Sequence, residues 1–150
     1  QGRGEYRNII SPNINEQQFF RYDQKSIGYY LVMSKNYNLM GNFGIHVGIN
    51  KTLEMEDGDD DLNIFFGIDK ELNRTFSLMI EYDAMLNDNN NEYNYEDISL
   101  GKGIGYLNAG LRWSVADNLL LELNFNDIHR NQVTSETAHR EFKVLYSKKF

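Results

Sequence analysis

The chain has 150 residues and a formal net charge of −7, so its length fits a single domain and its acidity argues against a nucleic-acid-binding surface. It has no cysteine, which excludes disulfide bonds, thiolate zinc sites and a cysteine nucleophile. No run of about 18 apolar residues is present, which excludes a transmembrane helix and leaves open the short alternating spans of a transmembrane β-barrel.

Residues 1–25 are the least regular part of the chain. We interpret residues 5–10 as the end of a truncated strand, and Ser11-Pro12-Asn13 as a turn, because these residue types favour turns. The chain opens on Gln1 without an initiator methionine, so we expect either a removed signal peptide or a longer parent protein. We assign residues 1–150 to one β-barrel domain that includes this irregular segment.

Seven segments after residue 25 alternate between apolar and polar residues. Successive side chains of a β-strand point to opposite faces, so this pattern predicts strands with one apolar and one polar face. The pattern is clearest where Val47 and Ile49 flank Gly48. The predicted strands are residues 26–36, 42–53, 62–70, 75–86, 104–115, 119–128 and 139–150.

The connections between these strands alternate in length. The short ones are residues 37–41, 71–74 and 116–118, and the long ones are residues 54–61, 87–103 and 131–138. An up-and-down meander places alternate connections at opposite ends, so the short turns share one end and the long loops the other. The predicted fold is therefore all-β, an antiparallel up-and-down meander of seven to eight long strands that forms a transmembrane β-barrel or its C-terminal part.

Two architectures fit this alternation. In a soluble lipocalin-like barrel the apolar face points inward and binds an apolar ligand, whereas in an outer-membrane barrel it meets lipid. Long strands, the sorting of short turns from long loops, and a polar face rich in Gly and Asn favour the membrane barrel. Aromatic residues then form interfacial girdles, although strands favour aromatics in any case. The girdle candidates are Tyr29, Tyr37, Tyr82, Trp113 and Tyr146.

The last predicted strand places Phe142, Val144, Tyr146 and Phe150 on one face. Its ending, E-F-K-V-L-Y-S-K-K-F, resembles the C-terminal signal strand of outer-membrane β-barrel proteins, and Lys148 departs from that pattern at an apolar position. The resemblance implies recognition by the barrel-assembly machinery and a periplasmic C-terminus. Counted back from there, the three long loops are extracellular and the three short turns periplasmic.

Four further segments resemble the C-terminal half of uncharacterised, YjbH-like bacterial outer-membrane proteins. They are Y-Y-L-V-M-S-K-N-Y (29–37), L-N-I-F-F-G-I-D-K (62–70), I-E-Y-D-A-M-L-N-D-N (80–89) and G-Y-L-N-A-G-L-R-W-S (105–114). The resemblance covers about residues 19–150. It implies a location in the outer membrane, and a structural, transport or envelope polysaccharide-export role. Those relatives are longer, so we expect this chain to be the C-terminal part of a larger barrel or a free-standing barrel of eight strands.

The polar face carries eight ionisable residues that would point into the barrel. Arg112 and Glu122 lie on adjacent strands with their side chains on the same face, and charges in a narrow interior need partners. We therefore predict an interior polar network around Arg112, which acts either as a structural plug or as a pore lining. Its members are His46, Asp69, Glu81, Asp83, Arg112, Glu122, Glu141 and Lys143.

The loop at residues 54–61 is strongly acidic. Clustered carboxylates beside a glycine suit Ca²⁺ or Mg²⁺, although the spacing is not that of an EF-hand, and a solvated turn is the alternative. The carboxylates of this candidate cation-binding loop are Glu56, Asp57, Asp59, Asp60 and Asp61.

Catalytic motifs are weak. No serine lies in a nucleophile motif, and Glu81 and Asp83 resemble ordinary neighbours on one face of a strand. We therefore predict that the chain is not an enzyme and needs no cofactor, with an outer-membrane hydrolase that uses His46, His129 or His139 as the alternative. The expected partners are outer-membrane lipid, the barrel-assembly machinery and divalent cations at the extracellular loops, and not nucleic acid.

Overall fold

The computed structural model describes residues 6–10, 18–22, 25–54, 59–89, 101–132 and 136–148. Seven of its strands form one antiparallel sheet in which every strand pairs with its neighbours in sequence, and this confirms the predicted up-and-down meander. The strands of this sheet are β3 (Gly28–Asn38), β4 (Asn42–Thr52), β5 (Leu62–Glu71), β6 (Phe76–Asp83), β7 (Tyr106–Ala116), β8 (Leu119–Asn126) and β9 (His139–Tyr146). The sheet is not closed, so β3 and β9 are its two edges.

The connections are sorted by length as the meander requires. The short turns 39–41, 72–75 and 117–118 share one end of the sheet, and the long loops 53–61, 84–105 and 127–138 share the other. Gly41 adopts a positive φ of 99° in the first short turn, a backbone conformation that glycine reaches at little cost. The two ends of the sheet are called below the short-turn end and the long-loop end.

The strands are staggered across the sheet. Residues that pair from one strand to the next form a row across all seven strands: Tyr37, Phe43, Lys70, Leu78, Leu111, Leu123 and Phe142. Strand β3 has nine residues before this row and one after it, whereas β9 has three before it and four after it. Successive strands therefore step towards the short-turn end, which is the shear that a barrel wall with tilted strands requires.

The two faces of the sheet differ in chemistry. The apolar face carries the row from Tyr37 to Phe142. The polar face carries the adjacent row of Asn36, Gly44, Asp69, Met79, Gly110, Asn124 and Glu141. Every buried residue of the seven strands lies on the polar face: Gly44, Gly48, Thr52, Asn63, Tyr106, Gly110 and Glu122. The polar face is therefore the shielded side of the sheet.

The apolar face is the open side. Of the large hydrophobic side chains that are exposed on the seven strands, 17 lie on this face. They are Tyr29, Leu31, Met33, Tyr37, Val47, Ile49, Leu62, Ile64, Phe66, Leu111, Trp113, Val115, Leu123, Phe125, Phe142, Val144 and Tyr146. The three on the polar face, Tyr30, Val32 and Leu145, all belong to the edge strands β3 and β9. Burial in this sheet is thus the reverse of that in a water-soluble domain.

Four strands end earlier than the alternation predicts, β4 and β8 by one and two residues and two others by more. The fourth predicted strand, 75–86, stops at Asp83, because the Asp83 carboxylate accepts the amide of Met85 and the chain then enters a 3₁₀ turn (Leu86–Asp88). The last predicted strand, 139–150, stops at Tyr146, which pairs with Leu119, the first residue of β8; one further backbone hydrogen bond, from the Ser147 amide to the Asn118 carbonyl in the turn, lies beyond this pair at 3.0 Å.

The N-terminal segment contains more strand than predicted. Strands β1 (Tyr6–Ile10) and β2 (Gln18–Tyr22) pair with each other in a separate two-stranded sheet. The first matches the strand end predicted at residues 5–10, and the second falls where the sequence appeared irregular. The predicted turn at Ser11-Pro12-Asn13 lies outside the described residues.

Candidate functional site

The charged centre of the polar face lies between β7, β8 and β9. Register places Arg112 opposite Glu122 and Glu122 opposite Lys143. Arg112 Nε and Nη2 donate to Glu122 Oε2 at 3.2 and 3.0 Å, and Lys143 Nζ lies 3.5 Å from Glu122 Oε1. Lys143 Nζ also lies 3.0 Å from Glu141 Oε2, and Asn124 donates to Glu122 Oε1 at 2.8 Å. We call these five residues the Arg112 cluster.

The Arg112 cluster balances two cations against two carboxylates. The side chain of Glu122, at the centre, is 11% exposed, whereas those of Arg112, Lys143 and Glu141 are about 40% exposed. A shielded carboxylate with three donors is stabilised as the ion, and it fixes the guanidinium and the ammonium groups in turn. The cluster therefore suits a rigid polar lining better than it suits proton transfer.

A second polar group links β3, β4 and β5. Ser34 Oγ lies 2.8 Å from His46 Nδ1, and Asp69 Oδ1 lies 2.6 Å from His46 Nε2. A neutral ring protonated on Nε2 satisfies both contacts, because it donates to Asp69 and accepts from the Ser34 hydroxyl. Gly44 provides the space for Asp69, since a Cβ at residue 44 would lie 2.2 Å from Asp69 Oδ1. We call this set the Ser34–His46–Asp69 chain.

The remaining two predicted network members have other partners. Glu81 Oε1 accepts from Asn108 Nδ2 at 3.2 Å, and Asp83 Oδ1 accepts from Asn63 Nδ2 at 2.7 Å. The Asp83 carboxylate also accepts the backbone amide of Met85, and this hydrogen bond stabilises the turn that ends β6. The eight predicted residues therefore divide into the Arg112 cluster, the Ser34–His46–Asp69 chain and two separate carboxylates.

A buried polar layer at the long-loop end was not predicted. Asn63, Asn87 and Asn131 are the largest fully buried side chains of the described residues. Asp127 organises one part of this layer, because its carboxylate accepts the amides of Asn131 and Gln132 at 2.6 and 2.9 Å. An Asp or Asn that follows a strand and precedes a loop is a turn signal that could have indicated these contacts.

The described part of the acidic loop contacts two lysines, one just before β3 and one in β4. Lys25 Nζ donates to the carbonyl of Asp59 at 2.6 Å, and Lys51 Nζ lies 3.1 Å from Asp60 Oδ2. Glu56 and Asp57 lie outside the described residues. Among the residues that the structure describes, no group of three or more His, Asp or Glu side chains is arranged to hold a metal ion. Cation binding by this loop stays a prediction.

Three of the four predicted recognition residues of the last strand are on the apolar face of β9. Phe142, Val144 and Tyr146 are exposed by 64%, 59% and 64%, and Phe150 lies outside the described residues. Strand β9 pairs only with β8, so its other edge is open within the described sheet.

Comparisons with protein-family models, curated proteins and solved structures find no match for this chain. No helix in the described ranges is long and apolar enough to cross a membrane.

Proposed function

We propose that this chain forms part of the wall of a bacterial outer-membrane β-barrel whose role is structural, in transport or in envelope polysaccharide export. The observation that carries the proposal is the reversed burial of the sheet, with buried residues on the polar face and 17 exposed large hydrophobic side chains on the other. Water penalises exposed apolar surface of this extent, whereas the hydrocarbon of a bilayer does not. Lipid is thus the solvent that suits the apolar face.

Three properties of the strands support this proposal. They are between 8 and 11 residues long, close to the length that a tilted strand needs to cross a bilayer. They are staggered as a barrel wall requires. The separation of short turns from long loops is the asymmetry of periplasmic and extracellular connections in outer-membrane barrels.

The strand directions define what would complete such a barrel. Six antiparallel steps separate β3 from β9, so the two edges of the sheet run in the same direction. They cannot pair with each other in an antiparallel barrel, and closure needs an odd number of further strands. The hairpin of β1 and β2 would add two, which leaves the total odd. We infer that the barrel includes strands beyond the nine described.

Within this proposal the Arg112 cluster lies in the interior of the barrel. Its charges are paired and its central carboxylate is shielded, which favours a structural lining that joins β7, β8 and β9. The resemblance of four segments to YjbH-like proteins supports the export role, and the resemblance of the last strand to the signal strand of outer-membrane β-barrel proteins supports its recognition by the barrel-assembly machinery.

Folding in the presence and absence of lipid tests the proposal. We expect the purified chain to acquire protease-resistant β-structure only in detergent micelles or lipid vesicles. The competing lipocalin-like barrel predicts a monomer that folds in buffer and encloses Val47 and Leu111, which here are 43% and 38% exposed. A folded monomer in plain buffer would overturn the membrane proposal.

A hydrolase is the second candidate, favoured by the Ser34–His46–Asp69 chain alone. In the serine-hydrolase arrangement the serine contacts Nε2 and the carboxylate Nδ1, and here the two nitrogens are exchanged. If Ser34 is a nucleophile, a fluorophosphonate probe should label the folded chain, and both Ser34→Ala and His46→Asn should abolish the labelling. Ser114→Ala, on the same face, is the matched control. Equal labelling of the three variants and the unchanged chain excludes this candidate.

A further inference from the structure

The acidic residues of the seven strands are confined to one face of the sheet. All six acidic residues lie on the polar face: Asp69, Glu71, Glu81, Asp83, Glu122 and Glu141. The apolar face carries four charged residues, and all are cations: Lys35, Lys51, Lys70 and Arg140. In a chain of net charge −7, a face that carries only cations requires a specific explanation.

These cations lie near the ends of their strands. Lys51 and Lys70 are the next-to-last residues of β4 and β5, Arg140 is the second residue of β9, and Lys35 is three residues from the end of β3. The middle of the apolar face, where Val47 and Phe66 pair, has no charge. The cations thus border the apolar band on both sides, at the level where lipid headgroups would lie.

Two of the four cations have polar contacts with described residues of the protein and two do not. Lys51 contacts Asp60, and Lys70 donates to backbone carbonyls of the turn at 39–41, the Met40 carbonyl at 3.0 Å among them. Lys35 and Arg140 are exposed and form no ion pair with any described residue. They also occupy the two ends of one row, which joins Lys35 through Ile45 to Arg140 on the opposite edge strand.

We propose that this face binds bilayer lipids with anionic phosphate headgroups, with Lys35 and Arg140 as the principal contacts. The proposal rests on the membrane location proposed above. Long basic side chains lay their alkyl stems along the apolar surface and extend the charge to the headgroups. Anionic headgroups attract cations and repel carboxylates, which accounts for the absence of acidic residues from this face.

Vesicles of two compositions test this proposal. The folding equilibrium of the unchanged chain is compared between zwitterionic phosphatidylcholine vesicles and vesicles that also contain anionic phosphatidylglycerol. We expect the anionic vesicles to favour the folded, inserted state, and each removed cation to reduce that preference about fivefold. The double variant Lys35→Gln/Arg140→Gln should therefore lose about 25-fold of the anionic preference while it still folds in zwitterionic vesicles.

Lys143→Gln is the matched control, because it removes one positive charge from the polar face. For this variant, the gain in folding on going from zwitterionic to anionic vesicles should equal that of the unchanged chain, even if the variant is less stable in both. If the double variant keeps the full preference, or Lys143→Gln loses as much per charge, the lipid contacts are refuted while the membrane proposal stands. If the unchanged chain inserts into neither vesicle, both proposals fail.

Inorganic phosphate separates lipid from free anion. Added to anionic vesicles at matched ionic strength, phosphate should weaken the preference no more than chloride does, since both only screen charge. If phosphate weakened the preference for anionic vesicles more than chloride does, Lys35 and Arg140 would bind a soluble anion. That result would overturn the proposal of a lipid contact.

Discussion

At the scale of single residues, Glu122 holds the polar face together across three strands. It accepts from Arg112 and Asn124 and lies beside Lys143, and it is the most shielded member of the Arg112 cluster. We expect Glu122→Gln to lower the free energy of unfolding by about 1–2 kcal/mol, because two cations then face a neutral amide. Urea titration in lipid vesicles measures this loss.

Glu81→Gln provides the matched comparison on the same face. Glu81 is exposed and accepts one hydrogen bond from Asn108, so its loss should change the unfolding free energy by less than about 0.5 kcal/mol. Equal effects of Glu122→Gln and Glu81→Gln would show that the cluster contributes nothing beyond ordinary surface charge.

Gly48 tests how closely side chains pack on the polar face. A Cβ at this position would lie 2.2 Å from the Phe65 ring, so Gly48→Ala should destabilise the fold by about 1–3 kcal/mol. In a Phe65→Ala background the same change should cost nothing, and this coupling is measured by a double-mutant cycle. Gly67→Ala, whose Cβ would lie 3.4 Å from the carbonyl of Ile80, should be neutral or stabilising. Equal losses for Gly48→Ala in both backgrounds would contradict the predicted contact.

Some of these contacts were predictable from the sequence and others were not. Arg112 and Glu122 face each other across a two-residue turn, and a short hairpin fixes the register of its strands. The other predicted network residues divide into separate groups according to which neighbour each long side chain reaches. The alternation of apolar and polar residues does not determine those contacts. Glu81 and Asp83 share a face with Arg112 and nevertheless bond to Asn108 and Asn63.

At the scale of elements, alternation predicted the seven strands and their faces but not all their ends. The alternation of apolar and polar residues is a property of each strand by itself, so a single sequence is enough to detect it. Strand ends depend on distant partners. The Asp83 carboxylate that ends β6 accepts the nearby Met85 amide and is also bound by Asn63 on another strand, and β9 stops where β8 begins. The contacts with Asn63 and with β8 are not local, and alternation therefore made the predicted strands 75–86 and 139–150 too long.

Trp113, the only tryptophan, tests the proposed location of the short-turn end of β7 at the surface of a bilayer. It is 42% exposed on the apolar face and stacks against Phe76 with ring centroids 5.6 Å apart. Interfacial aromatics lie at headgroup level, so brominated lipids should quench its fluorescence most when the bromines are near the headgroups.

A relocated tryptophan provides the control for depth. In Trp113→Phe/Phe66→Trp the indole moves to the middle of the apolar face, where residue 66 pairs with Val47, and should be quenched most by bromines deep in the acyl chains. If Trp113 in the unchanged chain shows that deeper profile, or no quenching at all, the position of the short-turn end at an interface is wrong.

At the scale of the whole molecule, the proposed antiparallel barrel requires further strands between β3 and β9, because these two edges run in the same direction. Glu141→Cys on β9 is combined in turn with Cys at residue 30, 32, 34, 36 or 38 of β3, which covers the possible registers. We expect no disulfide in any of these pairs after folding in lipid. The pair Asn124→Cys/Glu141→Cys joins directly opposed residues of β8 and β9 and should cross-link. A disulfide between β3 and β9 would contradict closure by further strands.

The central claim is that the apolar face of the sheet meets lipid and the polar face does not. Leu123 and Asn124 are adjacent residues of β8 on opposite faces, and the chain has no natural cysteine to compete for label. A fluorophore on Leu123→Cys or on Asn124→Cys is read, after folding in vesicles, with a quencher attached to the lipid acyl chains. We predict strong quenching at Leu123 and little at Asn124. Equal quenching at both positions, or stronger quenching at Asn124, would contradict it.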